Sequence, residues 1–399
     1  MEQTNSVFKQ ESSLVNTSDK LLKTLSYFIS YIALGFVMAV IGPTLPSLAE
    51  QTATKLSKIS FLFTAQSMGY LFGSLISGYL YDKMKGHPII AVSLFIMSAV
   101  LFLVPIISWL WALLGLLFLL GIAQGWLDVG GNTLLVWVHG KKVGPFMNGL
   151  HFFFGLGAFL APIIVARTVM LSDNINWAYW TLAIAVFPIT LVFTALKSPE
   201  IHKTPNKDKS KGANAILVVL ISLFFFLHVG AEISFGGWIY SYGLYTGIAK
   251  ESGAAYLTSV FWGSFTLGRL LGIPVSMKLK PRTMLIIDVV GGLTASIIIL
   301  AGSGSQFAVW AGTILMGFSI ASLFPTSINF AERNMHISGK VTSCFIVGSS
   351  VGIMFFPWFI GQFFESFGPL ILPIVILSAF AAALLLLWIT LYYVSRNVE

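Results

Sequence analysis

Apolar runs long enough to cross a lipid bilayer occupy nearly all of this 399-residue chain. They lie near 22–48, 59–81, 88–107, 109–137, 143–170, 176–196, 214–245, 253–277, 283–303, 306–331, 341–364 and 369–394. About 20 apolar residues span the hydrocarbon core as a helix. Helix is the default there, because every backbone N–H and C=O must be bonded inside the bilayer. A β-barrel would show short alternating segments, and the chain has none. With 10% charged residues, against about 25% in soluble domains, a soluble fold could not cover itself with polar surface. The expectation is an all-α membrane protein with twelve transmembrane helices.

The polar gaps give orientation, since Lys and Arg favour cytoplasmic loops. With the N-terminus inside, the inner gaps hold Lys83, Lys85, Lys141, Lys142, Lys278, Lys280, Arg282, Arg333 and Lys340, and the central loop adds Lys197, Lys203, Lys207, Lys209 and Lys211. The outer gaps hold Lys55, Lys58, Lys250 and Arg167. Both termini are therefore expected in the cytoplasm, in the plasma (inner) membrane. The net charge of +8 is spread over these gaps and forms no basic domain, so no nucleic-acid partner is expected. One cysteine, Cys344, excludes an intrachain disulfide and a cysteine metal cage. Residues 1–21 read as a disordered cytoplasmic tail, 22–197 as a six-helix bundle, 198–213 as a cytoplasmic linker and 214–395 as a second six-helix bundle.

The two bundles repeat each other. An offset of 195 residues takes Gly35 to Gly230, Gly42 to Gly237, Gly73 to Gly268, Gly157 to Gly352 and Pro162 to Pro357. In the fourth and tenth spans the match drifts, pairing Gly121 with Gly317 and Asn132 with Asn329. Small residues let helices approach closely in lipid, so matched positions imply matched packing. Two parallel repeats imply a central cavity opened alternately to each side, and hence transport.

Ionisable groups inside spans cost about 2.5–3.5 kcal/mol on the insertion scale and mark pathways. The fourth span carries Gln124, Asp128 and Asn132, spaced by four and so on one face. The seventh carries His228 and Glu232, with Phe235, Ile239 and Tyr242 continuing that face. The tenth carries Ser319, Ser322, Thr326 and Asn329; the fifth Asn148 and His151; the second Gln66 and Tyr70; the eighth Arg269. Gln124, Asn132, Asn148, His151, His228 and Asn329 are candidate substrate hydrogen-bonders, and Trp238 and Tyr242 candidate stacking platforms. Asp128 and Glu232 are the candidate ion-coupling acids. Asp288 begins the ninth span and Glu332 closes the tenth, so both are read as reaching water. No phosphate loop or H-E-x-x-H cluster is present; neither an enzyme, a cofactor nor a metal site is expected, apart from Na+ or H+ as a coupling ion.

Gly78-Tyr79-Leu80-Tyr81-Asp82-Lys83-Met84-Lys85-Gly86-His87 resembles the G-x-L-x-D-[RK]-x-G-[RK]-[RK] loop of the major facilitator superfamily. Gly78, Leu80, Asp82 and Lys83 match, Lys85 and Gly86 are displaced, and His87 replaces a stronger base. The second copy, Gly268-Arg269-Leu270-Leu271-Gly272 onward to Lys280-Pro281-Arg282, lacks the acid. The resemblance implies two pseudo-symmetric bundles in the major facilitator fold, with Gly78, Asp82, Lys83 and Arg269 in conformational gating. Asp128-Val129-Gly130-Gly131-Asn132, Val229-Gly230-Ala231-Glu232 with Phe235-Gly236-Gly237-Trp238, and Phe324-Pro325-Thr326 are similar to the fucose-permease-like branch and its sodium-dependent glucose transporter relatives. The fucose permease has a further acid in its first helix; none lies between Leu22 and Leu48 here.

The reading is a monomeric symporter of a hexose sugar, coupled to Na+ or H+, in a lipid bilayer. Its rivals are a lipid or drug exporter on the same fold, and a non-transporting membrane sensor or enzyme.

Overall fold

Bilayer-length apolar segments answer their backbone hydrogen bonds by coiling. The computed structural model describes residues 2–200, 214–337 and 339–397, and among these the regular elements are all helical. The long helices are α1 (Glu2–Gln51), α2 (Leu56–Lys83, interrupted at Ser60), α3 (Gly86–Ile106), α4 (Leu110–His139), α5 (Gly144–Ser172) and α6 (Asn176–Ala195) in the first half. The second half has α7 (Ala215–Tyr245), α8 (Glu251–Lys278), α9 (Pro281–Ala301), α10 (Gln306–Asn334, broken at Ala321–Ser322), α11 (Gly339–Phe367) and α12 (Ile371–Asn397). Eleven are long and apolar enough to cross a membrane. The other, α8, has the length, at 28 residues, but carries Arg269 among serines and threonines.

One expectation needs correction. The segment taken as a disordered tail is a helical extension of α1 from Glu2; residues 2–21 contain no Gly or Pro to stop a helix. Most of the expected linker, 201–213, lies outside the described residues.

The glycine repeat is a packing repeat. A methyl at Gly35 would strike the Phe154 carbonyl, and one at Gly157 the Ile32 carbonyl, where α1 crosses α5. In the second half Gly230 abuts the Phe356 ring and the Gly352 carbonyl, and Gly352 abuts the Phe226 carbonyl, where α7 crosses α11. Gly121 of α4 sits on Gln66 and Tyr70 backbone atoms of α2; Gly317 of α10 sits on those of Phe261 and Phe265 in α8. Residues 66 and 261, and 70 and 265, are again 195 apart. Each half therefore builds its bundle on the same backbone-to-backbone approaches.

Pro325 accounts for the break in α10. It has no N–H for the carbonyl four residues earlier, and its ring crowds that carbonyl. That carbonyl belongs to Ala321, where the first α-helical stretch stops; a second runs from Leu323 to Asn334.

Candidate functional site

The halves enclose a cavity of about 970 Å³, at the upper end of the roughly 300–1,000 Å³ typical of small-molecule sites. Its walls come from α1, α2, α4, α5, α7, α8, α10 and α11 with the first turn of α9, and it reaches Leu279, Pro281 and Thr342 at the end that bears the chain termini. The opposite end is shut. There Gly42 of α1 packs against Gly236 and Gly237 of α7. Glu365 of α11 accepts a hydrogen bond from the Leu56 N–H (3.0 Å), and Gln362 donates to the Ser57 carbonyl (2.7 Å). The cavity is thus open on the termini side and closed on the other.

The first half supplies a bonded polar wall. Asp128 accepts hydrogen bonds from the Tyr31 hydroxyl (2.9 Å), the Tyr70 hydroxyl (2.6 Å) and the Asn132 amide (3.2 Å). Gln66 donates to Gln124 at 2.8 Å. Three donors on one carboxyl group fix its position in the wall. Sequence reasoning grouped Gln124, Asp128 and Asn132 correctly but passed over Tyr31. Its signal was the spacing Tyr31, Leu34, Met38, Gly42, a stripe along one face of α1 that lines the cavity.

The second half supplies charges with few bonds. Glu232 of α7 is 8% exposed and lines the cavity, and makes no side-chain hydrogen bond with a described residue. Arg269 lies in the cavity wall, its guanidinium 4.5 Å from the Phe265 ring centre and its Nε unpartnered. Neither forms an ion pair with a described residue. Asn329 accepts from Arg333 Nε at 3.1 Å. His151 and Asn148 of α5 also face the cavity. Trp262, which the sequence reading did not single out, lies in the wall with its indole N–H unpartnered.

Three expected site residues do not line the cavity. His228 is fully buried between Phe224 and Phe225, Trp238 donates to the Pro357 carbonyl (3.0 Å) while stacking on Phe364, and the Tyr242 ring is fully buried. The reason is helical phase. At about 100° per residue, Glu232 sits at one edge of the cavity face, which is formed by Val229, Glu232, Ile233 and Gly236, and His228, Phe235, Ile239 and Tyr242 fall on the flank beyond that edge. Trp238 points to the opposite side of α7.

Arg269 faces the cavity, not a loop. Gly78 faces open space, and Asp82 and Lys83 are exposed beyond the open end. Lys83 donates to the Tyr79 hydroxyl (2.8 Å), while Asp82 bonds no described residue. Asp288, expected near water, is 8% exposed and accepts a hydrogen bond from Ser322; α9 packs against α10 and covers it. Glu332 is exposed, as expected.

Comparison with known proteins follows the same lines. A family model described as Major Facilitator Superfamily matches residues 27–357. Sodium-dependent glucose transporter 1 of Homo sapiens is 31% identical over 397 residues, covering 89% of this chain and 76% of that protein. The Xenopus laevis protein of the same name is 32% identical over 357 residues, covering 81% and 72%. Among solved structures, the xylose transporter XylE from E. coli, in a partially occluded inward open conformation, superposes with a TM-score of 0.75 at 12% identity, covering 95% of this chain and 100% of that one. The nucleoside transporter NupG gives 0.71 at 14% identity, covering 95% and 99%.

Proposed function

The chain belongs to the Major Facilitator Superfamily, and within it we propose a monomeric secondary active transporter that moves a hexose by cation-coupled symport. The observation that carries this reading is the composition of the cavity wall. Amide, imidazole and hydroxyl groups can donate to and accept from sugar hydroxyls: Gln124, Asn132, Asn148, His151, Asn329 and Tyr31. Trp262 offers a ring face for the C–H side of a sugar and an indole N–H for one hydroxyl. The relatives' name, sodium-dependent glucose transporter, supports the same substrate class. A lipid or drug exporter would have little use for this many paired polar groups.

Asp128 and Glu232 are the coupling acids of this reading, one on each side of the cavity. Gly78, Asp82 and Lys83 are the gating residues of this reading, at the end of α2 on the open side, where Asp82 is exposed as an acid that latches the other state would be. The excess of Lys and Arg in the gaps on the termini side supports cytoplasmic termini in the plasma membrane. The cavity then opens inward.

Uptake of a labelled sugar panel into proteoliposomes tests the proposal, with Na+ and proton gradients imposed separately. A hexose accumulated under one gradient is the expected result. Counterflow of no sugar by folded protein would remove the reading.

A further inference from the structure

Asp288 is a carboxylate the cavity does not use. It lies on α9 about 10 Å, seven residues at 1.5 Å each, in from the termini-side end at Pro281. It is 8% exposed and forms no ion pair with a described residue. Ser322, in the break of α10, donates to its Oδ2; its Oδ1 bonds no described residue. A buried carboxylate with a single hydroxyl donor is poorly compensated.

The surroundings supply oxygen. The Ala321 carbonyl has lost its helical partner to Pro325. The Ser322 hydroxyl oxygen adds a second ligand beside the carboxylate. One turn away, Gly291 of α9 lets Ser319 of α10 approach so closely that a methyl at 291 would strike the Ser319 hydroxyl. That approach sets Asp288 against the break. Ser322, Ala321, Met284 and Pro281 all line the cavity, so the carboxylate stands one side chain behind a wall open to water. Hard oxygen ligands without nitrogen or sulfur suit alkali and alkaline-earth cations. Carbonyls freed in interrupted helices serve that role in transporters.

We infer that Asp288, Ser322 and the Ala321 carbonyl form a Na+ site at the α9–α10 contact, separate from the cavity acids. A cation there ties α9 to the break and fixes the angle of Leu323–Asn334, which carries Thr326 and Asn329 into the cavity. The inference rests on the reading that this is a cation-using transporter, and it adds to the cavity acids a second place where Na+ is held.

The test is thermal unfolding of the purified full-length protein in nanodiscs, in NaCl, KCl or choline chloride at matched ionic strength. Ligand binding to the folded state raises Tm saturably. Na+ should raise the wild-type Tm and K+ and choline should not. Asp288→Asn should abolish the rise, Ser322→Ala should raise half-saturating Na+ at least tenfold, and Glu332→Gln, an exposed acid on the same helix pair, should behave as wild type. A wild-type Na+ response in Asp288→Asn overturns the site. So do equal shifts from all three salts, or a response that follows pH and ignores Na+, which would make Asp288 a proton site. If Asp288→Asn yields no folded protein, Ser322→Ala decides: unchanged half-saturation overturns the site. Sugar counterflow on the same preparation separates the two claims. A Na+ response dependent on Asp288 without counterflow sinks the sugar reading alone; counterflow without a Na+ response sinks the site alone.

Discussion

Where the first half sets Gln66 and Tyr70 beside Gly121, the second half sets Phe261 and Phe265 beside Gly317. The backbones meet in the same way and the side chains differ. Tyr70 bonds Asp128 and Gln66 bonds Gln124; Phe265 instead lies under the Arg269 guanidinium. One wall of the cavity is thus bonded internally, whereas the other exposes Glu232 and Arg269 to whatever enters. Helix approach distance is set by glycines and must repeat if the bundle repeats. The polar groups hang on that scaffold and can diverge without moving it. A bonded wall is preorganised, so it can orient a ligand with little rearrangement; an unbonded charge has more to gain when a ligand arrives.

The largest effect should come from the shared scaffold. Gly157→Leu and Gly352→Leu each drive a side chain into an opposing backbone carbonyl. Both should abolish the monodisperse peak on size-exclusion chromatography. Tolerance in one half and not the other would end the claim that the halves share one packing demand.

Glu232→Gln should come next. Gradient-driven hexose accumulation should fall at least tenfold, with counterflow and folded yield near wild type, because the carboxylate makes no hydrogen bond or close ion pair with a described residue. A coupling ion that no longer distinguishes the two states cannot shift them. Collapse of the folded yield would mean that this acid is structural, as Asp128 partly is.

Asp128→Ala sharpens the contrast through stability. It strands the Tyr70 hydroxyl and leaves the Tyr31 hydroxyl only its bond to the backbone carbonyl of residue 128, at about 1–3 kcal/mol for a buried donor left unsatisfied, and should lower Tm by a few degrees. Glu232→Ala should lower it much less. Equal losses would erase the difference between bonded and unbonded walls.

The smallest effect concerns the open end. Asp82→Asn should change transport rate severalfold, by shifting the balance of inward- and outward-open states, with substrate affinity in the competent state unchanged. Equal rates in both directions, matching wild type, would leave the loop acid without a gating role.

The spans and the repeat were legible because both are one-dimensional signals, run length and offset. The bonded wall was half legible. Gln124, Asp128 and Asn132 fall on one face over eight residues, and that face is the one turned to the cavity. The stripe through Glu232 was read on the wrong flank of that residue: Val229, Ile233 and Gly236 share the cavity face with it, whereas His228 and Tyr242 fall in the packed interior and Trp238 on the opposite side of the helix. Asp288 was misplaced because span ends are read from charge, and a carboxylate near a boundary looks wet until α10 is known to cover it. Tyr31 was missed because a tyrosine in an apolar helix carries no charge to draw attention, although its hydroxyl anchors the Asp128 network.

Gly42 and Gly237 are equivalent positions in the repeat, and a methyl at Gly42 would meet the Gly237 carbonyl. A residue facing its own counterpart is the mark of an isologous contact on a two-fold axis. In a homodimer every substitution on that axis would strike twice. In this fused chain each copy answers alone, and the two have already parted: Gly42 faces backbone, whereas Gly237 faces the Phe63 ring. Bulk added at 237 can be offset by trimming Phe63; bulk added at 42 has no side chain to trim. The seal at the closed end can therefore be re-engineered from one partner of the pair and not from the other.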